Sequence, residues 1–191
     1  MAFSEGQPRQ EVYSGKAEHY SGKEHEFSLF GVVDIKDPAY LADLKAARGQ
    51  ERTIPFDAAL ALTKKHQPWS DPANPDTDFF REVLIAVQDK LGLDAKKANM
   101  LRAYTAVGTP LDILYGTDAF ISYSGKGGEE IITIDATLRR EKLEQGHKAD
   151  IIVGELPDAQ DDEDGYLAAI DTIADRIAKR FKPSENVRRA A

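Results

Sequence analysis

The sequence has no cysteine. Disulfides, thiolate metal sites and cysteine nucleophiles are therefore excluded, and the composition agrees with a cytoplasmic location. Long apolar runs are missing as well. None approaches the roughly 20 residues that a bilayer-spanning helix needs, so no membrane partner is expected. The opening stretch, MAFSEGQPRQEVYSG, has neither a basic n-region nor an apolar h-region and is not expected to act as a secretory signal. The four histidines (His19, His25, His66 and His147) show no H-E-x-x-H spacing, so zinc is not expected. No serine sits in a G-x-S-x-G elbow. GKGG at 125–128 lacks the G-K-[ST] ending and following helix of a P-loop, and reads instead as a hairpin turn.

What is present is ordinary globular composition. The chain has 191 residues, 41% hydrophobic and 30% charged, which suits one domain with appendages or two very small ones. Net charge is −8. A field of that sign opposes general attraction to nucleic acid, so any such contact needs a local basic patch. Charge is unevenly placed: 158–175 is acidic without Lys or Arg, whereas 176–191 is mostly basic.

Residues 1–26 are polar and turn-rich and read as a mobile N-terminal arm. Residues 27–66 read as an N-terminal strand, from EFSLFGVVDIK (26–36), followed by short helices. The first of these starts at Asp37-Pro38, an N-cap followed by proline, and stops at Gly49; the second covers 56–66. QPWSDPANPDT (67–77) carries Pro68, Pro72 and Pro75 and reads as a linker or extended wrap, with Trp69 anchoring it. A helix over 78–91 places Phe80, Val83, Leu84, Val87 and Leu91 on one stripe and closes at Gly92. Asp94 is expected to cap another helix, ended by Gly108, Thr109 and Pro110. Three strands of an antiparallel meander are expected next, at 118–124, 130–137 and 149–155, then an amphipathic helix over 164–181 and a basic tail at 183–191. The fold class is α+β.

The second of these strands carries the functional argument. Alternation puts Ile132, Ile134 and Ala136 on one face and Ile131, Thr133, Asp135 and Thr137 on the other. An acid in mid-strand is unfavourable unless solvated, hydrogen-bonded or cation-bound. Asp118 opens the preceding strand, and a short hairpin brings the start of one strand to the end of the next. Two close carboxylates repel unless a divalent cation lies between them. Magnesium is held by one or two carboxylates plus water and phosphate oxygens.

The stretch YGTDAFISYSGKGGEEIITIDATLRREKLEQGHKADIIV, 115–153, resembles the PD-(D/E)XK nuclease superfamily. The resemblance implies a restriction-endonuclease-like core over 78–182 and a Mg2+ (or Mn2+) site. It matches Asp118 to the first metal acid, Asp135 to the acid of the tripeptide, and Glu82 to a helical acid that some members use. The tripeptide departs from the family pattern, because Thr137 stands where the family has lysine. Lys142, then Lys148, is the nearest replacement, and Arg139 and Arg140 would hold phosphate in an eleven-residue loop, LRREKLEQGHK. The implied function is magnesium-dependent cleavage of DNA phosphodiesters. The alternative keeps the fold without catalysis, as a structural or interaction protein, a phage virion component or a homo-oligomer included. Thr137, the acidic charge and the polar arm point that way. A third reading is a small nucleic-acid-binding module without chemistry.

Overall fold

The computed structural model describes residues 14–48, 53–125, 127–138 and 149–181, with side chains from residue 22 onward. Its helices are α1 (Ser14–Phe30), α2 (Pro38–Arg48), α3 (Phe56–Lys65), α4 (Asp78–Leu91), α5 (Pro110–Tyr115) and α6 (Glu163–Phe181). Its strands are β1 (Leu101–Thr105), β2 (Ala119–Gly125), β3 (Gly128–Ala136) and β4 (Ile151–Val153). The chain is α+β, with one mixed sheet in the order β1-β2-β3-β4.

Alternation along the strands gives this sheet two covered faces. Leu101, Ala103, Ala119, Ile121, Ile132, Ile134 and Ala136 pack with Phe80, Val83, Ile173 and Ile177, so α4 and α6 cover one face. Tyr104 and Phe120 stack at 4.7 Å on the opposite face and join Ile54, Ala59 and Leu111, from the segment before α3, α3 itself and α5. Phe30 and Trp69 both belong to the first cluster. Residues before 78 therefore share the core with those after it.

Several sequence expectations are met. Asp37 Oδ1 accepts the Ala39 N–H at 2.7 Å, so α2 starts at the expected cap. The α4 helix ends at Gly92 with φ 64°, a left-handed conformation that glycine adopts without strain. The β2–β3 hairpin closes with Gly125 opposite Gly128. The acidic start and basic end of α6 match the helix dipole.

Four expectations are corrected. Residues 14–26 lie in α1 rather than an arm, and 26–30 are helical rather than strand, because Leu29 and Phe30 bury into the α4 layer as helix neighbours; residues 1–13 lie outside the described residues. The helix expected after Asp94 is only a turn there: Asp94 Oδ1 accepts the Lys96 and Lys97 N–H groups, and the chain then enters β1. Alternation decides this, since Ala103 and Tyr104 fill opposite cores. The three-stranded antiparallel meander does not form. Instead β4 pairs parallel to β3, and β1 completes an antiparallel trio with β2 and β3. Parallel pairing also turns the expected hairpin loop into a crossover connection. Finally, residues 67–77 form the wrap rather than a free linker. Trp69 packs edge-on against Phe80 at 5.8 Å, the Gln67 side chain bonds both the N–H and C=O of Thr105, and the Pro72 carbonyl accepts the Ala103 N–H. The outer edge of β1 is thereby satisfied.

Candidate functional site

The topology places four strand termini at one end of the sheet: the ends of β1, β3 and β4 and the start of β2. Asp118 and Asp135 lie there. The register that pairs Ala119 with Ile134 sets Asp118 opposite Asp135, and the Asp118 N–H donates to the Ile134 carbonyl at 2.9 Å. Cross-strand neighbours of this kind have side chains in contact range. Both are buried, at 4% and 8% exposure. Asp118 Oδ2 accepts the Ala136 N–H at 2.8 Å, and a hydrogen bond joins the two carboxyl groups. The pair thus forms as the strand periods imply.

A hydrogen bond between two carboxyls requires a proton on one of them. Burial is the main reason: it lifts the Asp118 carboxyl from 3.8 to about 8. The Ala136 N–H opposes this, while the charges of Glu26 and Asp135 and the Asp135 hydrogen bond add to it. Asp112, on α5, joins the cluster through a hydrogen bond to Asp118 and is also raised, chiefly by burial. Its Oδ2 accepts the Gly108 N–H at 2.8 Å, and the positive charge of Lys23 partly offsets the shift.

Three of these side chains were not legible as site residues: Asp112, Glu26 and Lys23. Asp112 belongs to a Thr109-x-x-Asp112 box in which Thr109 Oγ1 accepts the Leu111 N–H, and that capping signal was present in the sequence. Lys23 and Glu26 carry no such signal, because nothing local ties α1 to β2.

The other expected residues distribute as follows. Glu82 lies on α4, close enough to the Tyr166 hydroxyl of α6 to raise it, and its Oε2 is buried with no hydrogen-bond partner among the described residues. Thr137 follows directly on β3, is buried, and donates its N–H to the Val153 carbonyl at 2.8 Å. Arg139, Arg140, Lys142 and Lys148 lie outside the described residues. Beside the pair, Thr137, Leu138, Gly154, Glu155, Leu156, Pro157 and Asp158 line a cleft of 530 Å³.

Two buried carboxylates set side by side are a donor set that a hard divalent cation can use. Among the described residues, no group of three or more His, Asp or Glu is arranged as a metal shell. The protein's share would then be the two carboxylates, with water and substrate oxygens completing a hard-cation site. Among the described residues, no helix is long and apolar enough to cross a membrane. Comparison with family models, with curated proteins and with solved structures gives no match, so the arrangement of side chains is what speaks to function.

Proposed function

We propose that this protein is a magnesium-dependent nuclease-like enzyme acting on DNA phosphodiesters, with Asp118 and Asp135 as the metal ligands. The observation that carries the reading is their cross-strand pairing in a buried position, where burial first and the neighbouring charges next raise the Asp118 carboxyl. Bound there, magnesium or manganese would supply charge neutralisation and an activated water. The Ala136 N–H fixes one oxygen of Asp118 toward the strand, which orients the carboxylate. A restriction-endonuclease-like core is supported by the order of α4, β1, β2, β3, the connection through 137–150, and β4 parallel to β3. Arg139 and Arg140 follow on the strand that carries Asp135 and are the sequence's candidates for holding phosphate, with Lys142 and Lys148 beyond them. The adjacent cleft has the size of a small-ligand site, enough for one nucleotide.

Cleavage of plasmid and linear DNA, with and without magnesium, tests this. Wild type should cut only with the metal, and Asp135→Ala should not cut. Metal-independent cutting, or unchanged cutting by the variant, defeats the proposal.

A second reading is an inactive nuclease-like fold serving in an assembly, a phage particle among the settings. It is favoured by Thr137 in the lysine position and by Glu82 turned toward Tyr166. A defined homo-oligomer or a stable complex in solution, without DNA cutting, would select it.

A further inference from the structure

We propose that the groove between β4 and α6 takes an extended acidic segment of a partner protein, added to the sheet as a fifth strand with a carboxylate on Arg176; this role needs no metal at the paired aspartates. The strand β4 is the last of the sheet, and among the described residues no strand pairs with its outer side. The Val153 carbonyl accepts the Thr137 N–H at 2.8 Å and so faces β3. Backbone groups alternate along a strand, which turns the N–H and C=O of Ile152 outward. Arg176 on α6 meets that outward carbonyl, its Nη1 donating to it at 3.1 Å. The Ile152 N–H points the same way and is the donor that a further strand would use.

Between this edge and α6 lies a groove of 430 Å³. Leu156, Ala168, Ala169 and Ile173 make much of its lining apolar, and Arg176 adds a charge. Lys179 and Arg180, on the next turn of α6, are paired with Asp175 and Asp150. Arg176 is exposed and has no carboxylate partner among the described residues. A guanidinium bonded through one N–H keeps its others, in a planar fork that fits a carboxylate. The groove also has a direction. Arg176 bonds Ile152 and Arg180 bonds Asp150, so α6 runs antiparallel to β4. The end by Ile152 is therefore basic, while Asp158, Asp161, Asp162, Glu163 and Asp164 make the approach to α6 at the other end acidic. A segment that places its acid on Arg176 and its more positive end by those acids runs antiparallel to β4. An extended chain is the occupant because a strand answers an outward-facing edge backbone, with apolar side chains filling the groove.

The test uses the full chain and two short fluorescein-labelled peptides of alternating threonine and valine. One ends in glutamate with a free carboxylate, the other in lysine with an amide. The readouts are fluorescence anisotropy, hydrogen exchange at the Ile152 amide, melting temperature and mass in solution. The glutamate peptide should bind wild type saturably and slow exchange at Ile152 by about 10-fold or more. The lysine peptide should bind about 10-fold more weakly. Arg176→Glu should melt with wild type, lose about 10-fold in affinity for the glutamate peptide, and prefer the lysine peptide. Absence of saturable binding by the glutamate peptide to wild type would overturn the proposal. So would equal binding by wild type and Arg176→Glu, or binding that leaves Ile152 exchange unchanged. A dimer whose Ile152 amide is already protected without peptide would overturn it as well, giving this edge to a second copy of the chain. None of these results bears on DNA cleavage by the paired aspartates.

Discussion

The two ends of the sheet treat their acids in opposite ways. At the hairpin end, Glu129 receives the Lys64 ammonium at 2.6 Å, and that hydrogen bond holds its carboxyl below the usual range. Asp43, on α2, is lowered in the same way by Lys65 at the end of α3 and then by His66. At the other end, Asp118 is buried against Asp135, Glu26 and Asp112, and its carboxyl is raised to about 8. A fold selected only for stability would give Asp118 a cation or an apolar replacement. Strong perturbation by burial and like charge is what the proposed metal site would need. The contrast separates acids lowered by a facing cation from an acid raised by burial.

The sharpest break in that contrast is Asp118→Asn. Removing the charge should lower metal-dependent cleavage by about 10³-fold or more and abolish Mn2+ binding, read by plasmid assay and calorimetry. In cation-free buffer near neutral pH the same variant should melt higher than wild type, because a strained carboxyl becomes a neutral amide.

Phe30→Ala comes next. Emptying a fully buried aromatic site costs about 3–5 kcal/mol, read by urea denaturation.

The pH dependence of stability sharpens the comparison further. Asp118 binds its proton more tightly folded than unfolded, so the folded state holds extra protons between about pH 4 and 8. Stability from this group is fully present at the acidic side of that window and is lost as pH rises through it. Wild type without divalent cations should therefore lose melting temperature from pH 4 to 8. Asp118→Asn should lack this component, and added magnesium should restore stability mostly at the alkaline side.

The smallest effect belongs to the satisfied end. Glu129→Gln should cost less than about 1 kcal/mol, and high salt should erase the difference, since the pair is partly exposed and screened.

Much of the candidate pair was legible because its causes are local. The alternation of 131–137 and the short GKGG turn together dictate which residues of β2 and β3 face each other. The apolar stripe and glycine stop of α4, and the polarity of α6, are local for the same reason. The strand β1 was hidden because Leu101–Thr105 is five residues long and its two-sided burial depends on clusters assembled from distant segments. The neighbour of Glu82 was not legible because helix periodicity tells which face is apolar, not which layer of the fold that face meets. That neighbour is Tyr166, far along the chain.

By itself, the sequence determined an α+β chain with a β2–β3 hairpin and two aspartates at matching strand ends, through period-two geometry and turn chemistry that act over a few residues. Only the tertiary structure decided that β4 runs parallel to β3, that Asp112 joins the pair, and that α1 sets the charges of Glu26 and Lys23 within electrostatic reach of these acids. Those outcomes depend on burying Phe30, Trp69 and Val153 in one shared core. Contacts of that kind follow from the whole chain's packing and leave no periodic mark in any one segment.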